Sequence, residues 1–246
     1  MLTPQMIKKV TEDFYSQFCG ISLAEIKNGA HFICSPERDK ELRGFGCKYT
    51  LYVLEKEDFC VVCYSPKHKK LVEQWKECDR NEILLAANQH FQLTKKKLMI
   101  FEKEVMDSYG NAKILKASDY PLYEAFFHSI HPNANTDGWL EEYFIEKTEK
   151  EYFAGYLSEN KLVSVCDAPD MPYMEDKIQH TGINTLAEER RKGYAACTAA
   201  LAAHHLIENG VCPQWECDVE NTASINLAKA IGYQEYGTAY ILEEWD

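Results

Sequence analysis

Apolar positions recur along the chain in two periods, one helical and one alternating. Ile7, Val10, Phe14 and Phe18 form a helical stripe behind Thr3-Pro4, an N-cap followed by proline at the first helical position. The stripe stops at Gly20. Segment 30–34 predicts a short strand. Segments 49–54 and 59–64 predict a hairpin around Glu55-Lys56-Glu57-Asp58. Ser65-Pro66 opens a helix predicted to reach about residue 77, and 81–89 predicts another. A strand follows over 98–101. Residues 107–111 are polar and turn-prone and mark a boundary. Beyond them come a strand over 112–115, a helix over 118–130, a helix over 140–147, and a hairpin pairing 152–157 with 162–166. An acidic loop with Pro169 and Pro172 covers 167–176.

Segment 178–210 organises the rest. Residues 178–186 mix β-branched and polar positions and predict a strand. A charged turn spans 188–192. After Gly193 the sequence is rich in alanine and leucine until Asn209-Gly210, which predicts a helix of about four turns with a glycine stop. Strands over 213–217 and 237–242 complete the order. The fold class is therefore α/β (α+β), a mixed, mostly antiparallel sheet flanked by helices. The expected division is an N-terminal α/β domain, 1–110, and a second domain, 111–246. Both contain a hairpin followed by a helix, so 1–110 is read as a degenerate half of the same unit.

A helix start leaves N–H groups unpaired at the positive end of its dipole, and small side chains there admit a phosphate. Gly193 and Ala195 are small, and Arg190, Arg191 and Lys192 add positive charge. The junction reads as a pyrophosphate cradle. The alternative is a solvated basic turn ahead of a well-packed helix.

Composition narrows the function classes. The 246 residues can bury a sizeable core, and 46% of them are hydrophobic. A net charge of −12 disfavours nucleic acid, whose backbone is bound by Lys and Arg. It suits a cationic amine. Ten cysteines without a regular framework, and no apolar leader over 1–10, predict reduced thiols and a cytoplasmic protein. No apolar run is long enough to span a bilayer.

Arg190-Arg191-Lys192-Gly193-Tyr194-Ala195 resembles the R/Q-x-x-G-x-G/A signature of the GNAT superfamily of acyl-CoA-dependent N-acyltransferases. Asn221 to Tyr233 resembles the family's N-x-x-S-x-x-L-A-x-x-x-G-Y/F segment. Trp215-x-Cys217 followed by Asn221 and Ser224 is similar to the zwittermicin-resistance-type branch. The resemblance is strong over about 178–235, weaker over 111–177 and absent as a motif before that.

The resemblance implies acetyl-CoA as co-substrate, no metal, and transfer to a small-molecule primary amine by direct attack in a ternary complex. It assigns the pyrophosphate to Arg190, Arg191, Lys192, Gly193, Tyr194 and Ala195. Ile183 and Thr185 are assigned to the cofactor arm along a strand that splays from the next one, about 212–217. Asn221 and Ser224 are added to that contact set, although Asn221 could equally cap the helix after it. The N-terminal segment would roof the acceptor site or form a homodimer contact.

An amine nucleophile must lose a proton, and two bases are candidates. Glu216 lies five residues before Asn221, on a strand whose face also carries Gln214 and Asp218, opposite Trp215 and Cys217. Its alternative is a solvated residue. His180 lies five residues before Thr185 and titrates in a useful range. Its alternative is structural. Ala228 stands where many members carry a tyrosine acid, which keeps open a non-catalytic acyl-CoA-binding or regulatory module. Four features are discounted. Cys60-x-x-Cys63 reads as strand interior, Gly44-Phe45-Gly46 lacks a third glycine, Lys95-Lys96-Lys97 reads as a solvated run, and Phe14 and Phe18 read as core.

Overall fold

Thr3 caps α1 (Pro4–Cys19) through its hydroxyl, which accepts from Met6 N–H at 3.3 Å, and Gly20 ends the helix in the left-handed region. This computed structural model describes residues 1–245. The strands of the first half are β1 (Gly29–Cys34), β2 (Cys47–Glu55) and β3 (Phe59–Tyr64). Two helices, α2 (Lys69–Val72) and α3 (Arg80–His90), precede β4 (Thr94–Phe101). Then come β5 (Ala112–Ile114), α4 (Tyr120–Ile130), α5 (Leu140–Glu149), β6 (Ala154–Ser158) and β7 (Lys161–Asp167). The last part holds β8 (Ile178–His180), β9 (Gly182–Thr185), α6 (Tyr194–Glu208), β10 (Cys212–Asp218), α7 (Thr222–Ala230) and β11 (Tyr233–Trp245).

The strands form two sheets. The larger has the order β1-β3-β2-β11-β4-β10-β8, and the smaller β5-β6-β7-β9. Seven of the nine pairings among the described residues are antiparallel; β1 with β3 and β8 with β10 are parallel. The predicted mixed, mostly antiparallel architecture is the one found. Strands from both sides of residue 110 share the larger sheet, because β11 lies between β2 and β4. Its unusual length makes that possible: it pairs along Thr238–Trp245 with β2 and along Tyr233–Ile241 with β4.

The main core lies under α1, where Phe14, Tyr15 and Phe18 pack on Tyr49, Tyr52 and Tyr236, and continues to Trp215 and α6. The alanines of α6 let it approach the sheets closely; Ala199, Ala200, Ala202 and Ala203 are all buried. A second core joins α4 and α5 to the small sheet through Tyr123, Phe144 and Phe153.

Three local expectations change. The helix expected from residue 65 to 77 is broken into a short α-helix, α2, flanked by tighter 3-10 turns. Val72 and Trp75 are the only buried apolar residues of this segment, too few anchors for a continuous stripe. The single strand expected over 178–186 is two strands in different sheets, parted at Thr181. Finally, Lys95, Lys96 and Lys97 are not a free solvated run. They lie on β4, where cross-strand neighbours bring Lys96 to Asp218 at 2.7 Å and Lys97 to Glu235 at 3.1 Å.

Candidate active site

The parting of β8 and β9 creates the site. Up to His180 the chain pairs in parallel with β10, His180 lying opposite Gln214. Thr181 makes the last tie, its N–H donating to Gln214 O at 3.1 Å. From Gly182 onward the chain pairs with β7 instead. Gly182 permits the change of partner, since a Cβ there would stand 2.2 Å from Asp167 Oδ1. The strands β9 and β10 therefore diverge, and β9 is left as an edge of the small sheet with one side unpaired.

Beyond β9 lies the basic loop. Arg191 and Gly193 both adopt positive φ, 63° and 85°, which turns the chain sharply into α6. The first bond closing α6 runs from Cys197 N–H to Gly193 O at 3.1 Å. The N–H groups of Tyr194, Ala195 and Ala196 precede it and head the helix. A cavity of about 500 Å³ opens here, lined by Thr185, Arg190, Arg191, Gly193 and the first residues of α6. Nothing lies within 4 Å of where a Gly193 Cβ would stand, so the loop leaves open space over these amides. The residues fit a diphosphate. Their charge is partly engaged within the loop: Arg190 Nε–H donates to Thr185 O at 3.3 Å, and Lys192 pairs with Glu189 at 2.8 Å. Tyr194 stacks on Tyr156 with centroids 4.3 Å apart. Ile183 lies on β9 and packs against the core.

Asn221 caps α7, its Oδ1 accepting from Ser224 N–H at 3.1 Å. The Ser224 hydroxyl accepts from Trp215 Nε1–H at 3.1 Å. Both polar side chains thus already make intramolecular bonds, Asn221 on the surface and Ser224 half-buried, and the residues of α7 that line the loop cavity are Ala223 and Leu227.

On the other strand, Gln214 and Glu216 share one face and Trp215 and Cys217 the opposite, buried one. Glu216 is not solvated on an open surface. It lines a cavity of about 330 Å³ together with His180, so the two candidate bases border one cavity. The walls come from distant segments: Phe14 and Phe18 of α1, Phe45 from the loop before β2, Met171 and Pro172 from the acidic loop. Burial pushes the Glu216 carboxyl up to about 7, against the lowering pull of the Lys96 ammonium and the Gln214 amide. Burial also lowers His180 to about 4, against the raising effect of its bond to the Glu216 carbonyl. Its Nε2 lies 3.3 Å from that carbonyl oxygen, and its buried Nδ1 has no partner among the described residues.

The sequence reading missed these walls. Phe14 and Phe18 were assigned to the core, which they do join, and Lys96 to solvent. Gly44-Phe45-Gly46 carried the one local signal, two glycines around an aromatic. Gly44 has φ 78°, and a Cβ on it would lie 2.8 Å from Asp170 Cβ, so only glycine lets this loop meet the acidic loop over the cavity.

Comparison with known proteins agrees with this geometry. The family model described as GNAT acetyltransferase matches residues 39–242. The chain belongs to the GNAT acetyltransferase family, and it is an acyltransferase. It is 24% identical over 212 residues to an uncharacterized N-acetyltransferase, YdfB, of Bacillus subtilis (strain 168), covering 85% of this chain and 75% of that protein. An acetyltransferase of the GNAT family from Colwellia psychrerythraea shares the fold at TM-score 0.55 and 12% identity, over 98% of this chain and 97% of the other. A GCN5-related N-acetyltransferase from Sphaerobacter thermophilus does so at TM-score 0.51 and 14% identity, over 80% and 76%. No helix among the described residues is long and apolar enough to cross a membrane.

Proposed function

We propose that the protein transfers the acetyl group of acetyl-CoA to a primary amine of a small molecule, by direct attack in a ternary complex. The divergence of β9 and β10 at Thr181 and Gln214 carries this reading. Thr185 lines the loop cavity, and His180, five residues earlier, lines the cavity of Glu216. Five extended residues span at most about 17 Å, a distance for a flexible arm to cross. Bound acetyl-CoA supplies an acetyl carbon activated as a thioester. The amides heading α6, with Arg190, Arg191 and Lys192 beside them, hold the diphosphate. Ile183 and Thr185 offer the backbone edge along which the arm lies, and Asn221 and Ser224 steady the turn into α7 behind it.

Glu216, titrating at about 7, takes the proton that an ammonium must lose. His180 stays neutral, and its contact with the Glu216 carbonyl holds the strand that carries the carboxyl beside the cavity. Phe14, Phe18, Phe45, Met171 and Pro172 exclude water and suit an amine with an apolar body. Ala228 is buried and brings no hydroxyl, so no general acid comes from that position. On this reading 111–246 carries the transferase machinery, and 1–110, a degenerate half of the same unit, walls the acceptor site. The Trp215–Cys217 and Asn221–Ser224 segments favour the zwittermicin-resistance-type branch.

The test is acetyl-CoA-dependent thiol release over a panel of primary amines. Acceptor-dependent release supports the reading. Tight coenzyme A binding with no release over the whole panel favours the rival regulatory module, for which the hydroxyl-free Ala228 is the supporting observation.

A further inference from the structure

Arg38 sits in the short turn Pro36–Asp39 and is 3% exposed. Its Nη2–H donates to the Tyr173 hydroxyl at 2.9 Å. Its Nε and Nη1 are buried and have no partner among the described residues. A guanidinium cannot escape this cost by losing its proton. The buried ionisable groups that feel its charge are the thiols of Cys19 and Cys63 and the Tyr49 phenol. Burial pushes Cys63 up to about 11 and raises the other two as well, outweighing the lowering pull of Arg38. All three are therefore neutral at pH 7, and Arg38 makes no ion pair among the described residues. The chain treats its other buried cation differently: Lys147, 2% exposed, is paired with Asp170.

Arg38 lines a cleft of about 740 Å³ between the end of α1 and the 173–177 segment. Gln17, Ser22, Tyr173 and Lys177 lie in its walls, and Asp13 and Glu37 add acidic groups. The volume is that of a small-molecule site. Tyr173 separates this cleft from the cavity of Glu216, its ring packing on Phe14 and Phe18, which line the latter.

We propose that this cleft is a second small-molecule site, which takes an organic monocarboxylate on Arg38 in place of the Tyr173 hydroxyl. A planar carboxylate matches the guanidinium donors two at a time. A carboxylate supplies the ion-pair partner that Arg38 lacks, and the acidic Asp13 and Glu37 in the walls oppose a second negative charge more than the first. The orphaned nitrogens lie beneath the surface, so the phenol turns aside as the ligand enters. The site stands on Arg38 and its surroundings alone, independent of acetyl transfer.

The experiment is thermal melting of the full chain at constant ionic strength with benzoate, with benzamide as the neutral isostere and inorganic phosphate as the dianion control. Benzoate raises the melting temperature saturably in the millimolar range, benzamide does not, and phosphate does so less. Arg38→Met loses the benzoate response. Tyr173→Phe binds benzoate at least about threefold tighter, since the competing hydroxyl is gone, a difference of about 0.6 kcal/mol. No saturable response of the wild type to benzoate, an unchanged response in Arg38→Met, or a stronger response to phosphate overturns the proposal. If Arg38→Met does not fold, the Nε–H resonance of Arg38 in the ¹⁵N-labelled wild type decides. A shift on adding benzoate supports the site, and an unmoved signal refutes it.

Discussion

His180 Nε2 lies 3.3 Å from the backbone oxygen of Glu216, and this contact fixes the histidine's tautomer. A carbonyl can only accept, so the proton is on Nε2 and the lone pair on Nδ1, which is buried without a partner among the described residues. One residue thus presents its carbonyl to the histidine and its carboxyl to the cavity.

Glu216→Gln is expected to lower kcat by about 100-fold or more, the usual contribution of a general base, with little change in coenzyme A affinity. In the wild type kcat/KM rises with pH through about 7 as the carboxyl ionises. Steady-state rates from pH 5.5 to 9 check both. A variant that keeps the wild-type inflection removes Glu216 as the base.

His180 makes a stability signature. Its folded value, about 4, is below its ordinary value of 6.5. The unfolded chain therefore takes up its proton first as pH falls, so stability is lost between about 6.5 and 4. Urea unfolding of His180→Asn should show a flatter pH dependence across that window than the wild type.

Gly193→Glu is expected to abolish coenzyme A binding in calorimetry. Nothing lies within 4 Å of a Cβ placed there, so the main folding cost expected is that of the left-handed backbone, roughly 1–2 kcal/mol. Wild-type affinity in this variant would move the cofactor site elsewhere.

Asp170→Ala removes the nearer carboxylate partner of buried Lys147, leaving Glu146 at 3.6 Å, and the anchor of the loop over the Glu216 cavity. Losing a fully buried partner costs about 3–5 kcal/mol; Asp170 keeps 43% of its side chain exposed, so about 2 kcal/mol is expected. The amine KM should rise while coenzyme A affinity holds. Equal loss for both substrates would show general unfolding instead.

Gly232→Ala tests the fold alone. Its φ is 110°, and a Cβ would stand 1.8 Å from the Lys103 carbonyl oxygen, which cannot give way without moving backbone. Destabilisation of about 3 kcal/mol or more is expected in urea unfolding.

Local signals in this chain were legible where a single segment settles its own conformation. The cap at Thr3, the hairpin of β6 and β7, the small-residue start of α6 and the alternation of Gln214, Trp215, Glu216 and Cys217 each depend on neighbours in sequence. The Asn221 ambiguity was also visible, because capping and cofactor contact use the same amide. The helix broken at α2 was not, since its capping signals are sound and only the scarcity of buried anchors interrupts it.

By itself, then, the sequence determined the mixed α/β class through short-range spacing, and its motifs over 190–195 and 221–233 carried the resemblance to the acyltransferase family. Tertiary structure alone decided that 178–186 parts between two sheets at Thr181, that β11 knits residues from both halves together, and that α1 and the 45 and 170 loops enclose Glu216. Those outcomes depend on which strand edge wins a partner and on close approaches such as Gly182 to Asp167. Such contacts join residues far apart in the chain, where no local pattern records them.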